Sequence, residues 1–96
     1  LSDEMKEKLD ALVTYIKENP YSEVRIVGHS DNRGTAAQNQ RRSEQRAQQV
    51  VDYLMSKGVP RGRLLDRGMG DRAPIADIRT AAGRAKNRRV EITVVQ

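Results

Sequence analysis

The sequence predicts an α/β (α+β) sandwich, in which a mixed sheet of three to four strands is covered by two long helices and one short helix. Helical and strand-like patterns alternate in the order helix, strand, helix, strand, short helix, strand. Two long segments carry apolar residues at three- and four-residue spacing, which is typical of helices with one buried face. Short runs rich in β-branched residues lie between them, which is typical of strands.

The composition limits the size and character of this fold. The chain has 96 residues, so we expect one domain spanning residues 1–96. Aromatic residues make up 3% of the chain, without Phe or Trp, and the core must therefore be aliphatic. Charged residues of both signs are interleaved with periodic apolar positions, which argues against disorder. No apolar run approaches the roughly 20 residues that span a bilayer, so we expect any membrane tether to lie outside these residues.

The first predicted helix begins after Ser2, a residue type favoured at the N-cap position. Asp3 and Glu4 follow in the first turn, where negative charge suits the helix dipole. Asn19 and Pro20 end the helix, because the residue before a proline is disfavoured in helical conformation. The apolar stripe of this helix consists of Met5, Leu9, Leu12, Val13 and Ile16.

A strand is predicted over Glu23 to Gly28, where a mainly β-branched run is bounded by turn residues. A polar loop over residues 29–35 leads into the second helix, which Thr35 caps and Gly58 ends. The buried stripe of this helix consists of Ala47, Val50, Val51 and Leu54.

The last third of the chain predicts two strands and a short helix. Arg63 to Gly68 is a weakly patterned strand, and Thr80 to Ala85 is the short helix. Arg89 to Val95 is the clearest strand, because apolar and polar residues alternate along it. A first helix without a preceding strand is unusual in such an alternation, so we expect a further strand upstream of Leu1.

The candidate functional residues lie where the first strand ends. Asp31 follows this strand, and Arg46 lies fifteen residues later on the second helix, beyond Asn39. A carboxylate and a guanidinium together can hold a zwitterion, because one accepts from an ammonium and the other donates to a carboxylate. Free N–H groups at the helix N-terminus would add donors. The alternative is structural, with Asp31 fixing the loop through Arg46 or through backbone N–H groups.

Other motifs carry less chemistry. His29 is the only histidine, and with Asp31 it provides too few ligands for a metal site. It is a poor general base for Ser30, because adjacent strand side chains point to opposite faces. We therefore interpret His29 as a structural residue and expect no metal, cofactor or catalytic residue. Gly68-Met69-Gly70 lacks the third glycine and long helix of a phosphate-binding loop, so it predicts a turn.

A basic cluster near the C-terminus suggests nucleic-acid binding as a rival function. It comprises Arg84, Lys86, Arg88 and Arg89, and the formal net charge of +5 permits an anionic partner. Aromatic residues for base stacking are absent nearby. Arg88 and Arg89 are expected to face opposite sides, one towards the candidate site and the other towards solvent.

Several spaced motifs follow one another along nearly the whole chain from Leu9 onward. They are Gly28-His29-Ser30-Asp31-Asn32-x-Gly34, Asn39, Ser43-x-x-Arg46-Ala47, Val50-Val51-x-x-Leu54, Gly68-x-Gly70 and Gly83-Arg84-Ala85-x-Asn87-Arg88-Arg89-Val90-Glu91. In this order they resemble the OmpA-like C-terminal domain.

This resemblance implies a non-enzymatic module that binds peptidoglycan noncovalently through diaminopimelate in the stem peptide. Such a module anchors the outer membrane or an envelope complex to the cell wall of Gram-negative bacteria, and is periplasmic. By the same resemblance, Asp31 and Arg46 hold the ammonium and carboxylate of diaminopimelate. Asn39 matches the family's Asn, and Ser30 stands where Thr is usual.

Two departures from the family pattern bear on function. Arg42 replaces the usual Leu, which could change the pocket wall or add a contact to the anionic glycan. The Phe-bearing strand that usually opens the family is absent, which supports a strand upstream. The predicted ligand-binding residues are therefore Asp31, Arg46, Asn39, Ser30, Arg42 and Arg88. A structural envelope-assembly domain without wall binding is the other rival.

Overall fold

The computed structural model describes residues 1–96 and has the predicted α/β architecture. The chain contains three α-helices and three strands in the predicted order, with one short 3₁₀ turn before the second strand. They are α1 (Asp3–Glu18), β1 (Glu23–Gly28), α2 (Ala36–Ser56), the 3₁₀ turn (Arg61–Arg63), β2 (Leu64–Gly68), α3 (Ala81–Asn87) and β3 (Val90–Val95). None of these helices combines the length and the apolar character needed to cross a membrane.

Local capping signals define where the helices begin. The Ser2 hydroxyl accepts a hydrogen bond from the Met5 backbone N–H at 3.1 Å, as the sequence predicts. Thr35 and Gln38 form a capping box at the start of α2, in which each side chain accepts from the other residue's backbone N–H. Both boundaries are encoded by residues within one turn of the helix.

The three strands form a mixed sheet with the order β2-β1-β3. The central strand β1 pairs in parallel with β2 and antiparallel with β3. In this register Gly28 lies beside Gly68 on one side and Val90 on the other. The end of β1, the end of β2 and the start of β3 therefore meet at one edge of the sheet.

The hydrophobic core lies between the helices and one face of this sheet. Val24 and Ile26 of β1 are fully buried, whereas Arg25 between them is exposed. The core is aliphatic, as the composition predicts, and its eleven residues are Leu9, Val13, Ile16, Val24, Ile26, Ala47, Val50, Val51, Leu54, Val59 and Leu64. It includes members of the stripes predicted for both long helices.

Two glycines let α2 approach the sheet closely. A Cβ placed on Gly28 would lie 1.9 Å from the Ser43 backbone oxygen, and one on Gly68 would lie 2.6 Å from the Glu44 backbone nitrogen. Real Cβ atoms do not approach so closely. The Ser43 hydroxyl also accepts from the Gly70 N–H at 2.8 Å. Together these contacts fix the height of α2 above the strand ends.

Boundaries in the last third of the chain differ from the sequence prediction by one or two residues. Arg63 belongs to the 3₁₀ turn rather than to β2, and its guanidinium donates to the Ile16 carbonyl at 3.0 Å and the Asn19 carbonyl at 2.6 Å. It thereby satisfies carbonyls at the end of α1. The short helix α3 reaches Asn87, whose side chain is buried and accepts from the Ile75 and Ala76 N–H groups.

Candidate functional site

A polar cavity of about 290 Å³ opens where β1 runs into the following loop. It lies at the sheet edge that the strand ends share. None of the lining residues is apolar, and they are Ser30, Asp31, Arg33, Arg42, Arg46 and Arg88. Five of the six predicted binding residues therefore meet at one place, and Arg33 joins them.

Asp31 is held in its ionised form by groups of the cavity. Its side chain is 9% exposed, and Oδ1 accepts from the Arg33 backbone N–H at 3.0 Å while Oδ2 accepts from Arg88 Nη1 at 2.7 Å. Burial raises the pKa of the Asp31 carboxyl, but these hydrogen bonds and the positive charges of Arg88 and Arg33 outweigh it, so that its pKa is lowered. Because two carboxylate oxygens offer about four acceptor positions, a further donor can still bind.

Arg46 is oriented towards the cavity by the backbone of the preceding loop. Its Nη1 donates to the His29 carbonyl oxygen at 2.9 Å. Burial and the nearby positive charge of Arg88 lower its pKa, Asp31 opposes this, and arginine stays protonated at neutral pH. The guanidinium forms no ion pair within the chain, so its remaining N–H groups can meet an anionic ligand.

The ion pair of Asp31 forms with Arg88 rather than with Arg46. The structural alternative in which Asp31 fixes the loop through Arg46 is therefore wrong. Its second part, in which backbone N–H groups hold Asp31, is confirmed by the Arg33 N–H. Arg88 comes from the end of α3, so the carboxylate joins two segments that are distant in sequence.

Arg42 and Arg33 form the remaining basic wall of the cavity. Arg42 Nη1 donates to the Arg33 carbonyl oxygen at 3.0 Å and to Asn39 Oδ1 at 3.3 Å. Neither Arg33 nor Arg42 forms an ion pair with an acidic side chain. Sequence reasoning missed Arg33, although a basic residue two positions after Asp31 in the same loop was a usable signal.

Asn39 and Ser30 have mainly supporting contacts in the structure. Asn39 is 1% exposed and does not line the cavity, but its side-chain oxygen anchors Arg42. Ser30 lines the cavity, and its hydroxyl donates to the Asp31 carbonyl at 3.0 Å. Direct ligand contact by either side chain stays a prediction.

His29 is a structural residue, as the sequence predicts. Its side chain is almost fully buried, and Nε2 lies 2.7 Å from Glu91 Oε1 of β3. Burial raises the pKa of Glu91, but the His29 hydrogen bond and the positive charge of Arg89 outweigh it, so that the pKa of Glu91 is lowered. The structure brings together no cluster of three or more His, Cys, Asp or Glu side chains able to hold a metal ion.

The basic cluster does not form one continuous surface. Arg88 faces the cavity, as expected for one of the two neighbouring arginines. The expectation that Arg89 faces solvent is wrong, because its side chain is 15% exposed and Nη2 donates to the Ala73 carbonyl at 2.9 Å. β3 begins only at Val90, so strand alternation does not apply to this pair. Of the predicted turn at Gly68-Met69-Gly70, Gly68 is the last residue of β2 and the turn is confirmed only at Gly70, whose carbonyl accepts from the Ser30 N–H.

Comparison with known proteins identifies the family to which this chain belongs. A family model described as the OmpA family matches residues 1–88. The chain belongs to the OmpA family. Among curated OmpA-family relatives, it is 41% identical over 95 residues to "Outer membrane protein A" of Bordetella avium, covering 99% of this chain and 49% of that protein. It is 43% identical over 88 residues to "Peptidoglycan-binding protein ArfA" of Mycobacterium tuberculosis, covering 92% of this chain and 27% of that protein. The chain thus spans about half or less of these relatives.

Solved OmpA-like structures share the whole fold. The peptidoglycan-associated lipoprotein of Burkholderia pseudomallei superposes with a TM-score of 0.94 at 27% identity, covering 99% of this chain and 80% of that one. The cell wall anchor of the T6SS from Pseudomonas aeruginosa superposes with a TM-score of 0.79 at 36% identity, covering 99% of this chain and 68% of that one.

Proposed function

We propose that this OmpA-family domain binds peptidoglycan noncovalently, by holding the zwitterionic end of diaminopimelate in the stem peptide. The observation that carries the proposal is the arginine-lined cavity around the single carboxylate of Asp31. A protein of this family that is 43% identical over 88 residues is named peptidoglycan-binding, which supports the same ligand class.

In the proposed complex, the ligand's ammonium donates to the acceptor positions of Asp31 that Arg33 and Arg88 leave free. The ligand's carboxylate accepts from the N–H groups of Arg46 that the His29 carbonyl does not use. Both protein groups are already oriented by the loop, so binding requires little further ordering of the site. Ser30 and Asn39 support the cavity through the loop backbone and through Arg42.

The proposed function is anchoring rather than catalysis. One small zwitterion forms only a few strong hydrogen bonds, and these must offset the entropy that is lost on binding. The affinity of one site is therefore modest. Many stem peptides on one polymer, and several domains on one envelope complex, increase retention through avidity. We propose that the chain works in the periplasm within a longer outer-membrane or envelope protein, as the names of its relatives suggest.

The first test is sedimentation with purified insoluble peptidoglycan. We expect the unmodified chain to sediment with the wall, and Asp31→Ala and Arg46→Ala to stay in solution while folded by circular dichroism. Asp52→Ala and Arg41→Ala are matched controls, because both residues are exposed on α2 and neither lines the cavity. Equal sedimentation of all five proteins, reversed by salt, would refute the proposal and support nonspecific binding by net charge. Absence of sedimentation by the unmodified chain would favour an assembly domain without wall binding.

A further inference from the structure

The cavity carries more positive charge than a zwitterion can balance. Four guanidinium groups line it, and only Arg88 is paired with the single carboxylate of Asp31. Arg33, Arg42 and Arg46 form no ion pair with an acidic side chain of the chain. A zwitterion brings one carboxylate and one ammonium, so its net charge is zero. With its carboxylate on Arg46, a zwitterion still leaves Arg33 and Arg42 in the same cavity without a carboxylate to pair with, which is electrostatically unfavourable.

We infer that the ligand presents a second carboxylate close to its zwitterion, and that Arg42, assisted by Arg33, binds it. This inference rests on the proposed function and specifies its ligand further. The class of ligand is a peptide with a free carboxylate on a residue adjacent to the diamino acid.

The position of Arg42 on α2 supports this assignment. It precedes Arg46 by four residues, so the two side chains share one helix face with Cβ atoms about 5–6 Å apart. Carboxylates on neighbouring residues of a peptide can span such a distance, since an extended residue covers about 3.3–3.6 Å. One ligand can therefore reach both guanidinium groups.

Arg42 is also held in place before any ligand binds. Its Nη1 is occupied by the Arg33 carbonyl and by Asn39 Oδ1, while Asn39 itself is buried. The other N–H groups of this guanidinium remain for a ligand carboxylate. A fixed guanidinium loses less conformational entropy on binding than a mobile one, which favours a specific contact.

Two carboxylates of the stem peptide have the required chemistry. One belongs to the glutamyl residue before diaminopimelate, and the other is the C-terminal carboxylate after it. The test is calorimetric titration with three soluble stem-peptide fragments: one unmodified, one amidated at the glutamyl carboxylate and one amidated at the C-terminus. We expect one amidation to weaken binding by the unmodified chain about tenfold, as for loss of a charged hydrogen bond, and thereby to identify the source.

Variants of Arg42 test whether this residue distinguishes the unmodified fragment from the amidated one. Arg42→Leu and Arg42→Gln should bind the unmodified fragment about tenfold more weakly and no longer distinguish it from the amidated one. Gln retains an N–H donor for the Arg33 carbonyl, so its loss of discrimination would reflect lost charge rather than lost loop support. Arg41→Leu removes the same charge from an exposed neighbour outside the cavity and should behave as the unmodified chain.

Equal binding of all three fragments by the unmodified chain would overturn the inference, as would discrimination that persists in both Arg42 variants. A fourth fragment, amidated at the carboxylate of the zwitterion, separates this failure from failure of the proposed function. If that fragment binds as tightly as the unmodified one, the zwitterion assignment itself is wrong.

Discussion

At the scale of single residues, Asp31 is the group on which the site depends most. Its carboxylate accepts hydrogen bonds from the Arg33 N–H in the loop after β1 and from Arg88 at the end of α3. It thereby connects these two segments. It is also the only acidic group that lines the cavity. The same ionised side chain is therefore expected to stabilise the fold and to bind the ligand's ammonium.

The lowered pKa of Asp31 predicts how stability depends on pH. A carboxyl whose folded-state pKa lies below its unfolded value of about 3.9 stabilises the fold above that value. This contribution is lost as the pH falls through the folded-state pKa. We expect Asp31→Asn to reduce the free energy of unfolding at pH 7 by about 1–3 kcal/mol, as for lost charged hydrogen bonds. The difference should shrink below pH 4, because protonation then removes the same charge from the unmodified protein. Urea denaturation between pH 2.5 and 7 measures it.

Asp52→Asn is the control for this comparison, since Asp52 is exposed and its described side-chain contact is a surface hydrogen bond from Gln48. It should change the free energy of unfolding by less than about 0.5 kcal/mol, as expected for a surface substitution. A difference between Asp31→Asn and the unmodified protein that stays constant across the whole pH range would contradict the assigned ionisation.

The residue-level contacts were only partly predictable from the sequence. Local spacing identified Asp31 and Arg46, because both lie near one strand–loop–helix connection. The partner of Asp31 was not predictable in the same way, since Arg88 is 57 residues away and meets it only through the sheet register. The burial of Asn39 likewise depends on how α2 packs, which helical periodicity alone does not define.

At the scale of elements, the contact between α2 and the ends of β1 and β2 controls the geometry of the cavity. Gly28 and Gly68 lie side by side in the sheet, and both face the backbone of α2 near Ser43. Arg46 lies on the next turn of the same helix, so the height of α2 positions its guanidinium. Two glycines thus determine where a charged group of the site lies.

Replacing Gly28 with alanine tests this role. The added Cβ would meet a backbone oxygen at 1.9 Å, which cannot be relieved by rotating a side chain. We expect Gly28→Ala to reduce the free energy of unfolding by about 3 kcal/mol, near the upper end for overpacked sites. Gly62→Ala is the matched control, because a Cβ there has no neighbour within 4 Å, and its effect should stay within about 1 kcal/mol. Similar unfolding midpoints in urea for both variants would disprove the close approach of α2.

The elements themselves were largely predictable, because their signals are local. Ser2, Thr35 and Thr80 each cap a helix through a hydrogen bond to a residue three positions later. The start of β2 was displaced by one residue because Arg63 is used elsewhere, in hydrogen bonds to the end of α1. Such long-range use of a side chain leaves no periodic signal in the sequence.

At the scale of the whole molecule, positive charge has two roles that can be separated. The formal net charge of +5 attracts any anionic polymer, including nucleic acid and the cell wall itself. The cavity concentrates four arginines around one acceptor, which serves recognition of a particular ligand under the proposed function. Arg84 and Lys86 lie outside the cavity but add to the overall charge.

The two roles predict opposite effects of one substitution. Asp31→Asn removes a negative charge and raises the net charge from +5 by one unit, so attraction to an anionic polymer should increase. If the cavity is the receptor, the same substitution removes the acceptor of the ligand's ammonium and should weaken wall binding at least tenfold, as for loss of a charged hydrogen bond.

The paired substitution Arg84→Ala with Lys86→Ala lowers the net charge by two units but leaves the cavity intact, and should bind the wall as the unmodified chain does. Sedimentation with peptidoglycan and filter binding to nucleic acid, each from 50 to 500 mM salt, compare the variants. Tighter wall binding by Asp31→Asn, together with weaker binding by the paired variant, would assign the interaction to net charge and contradict the receptor.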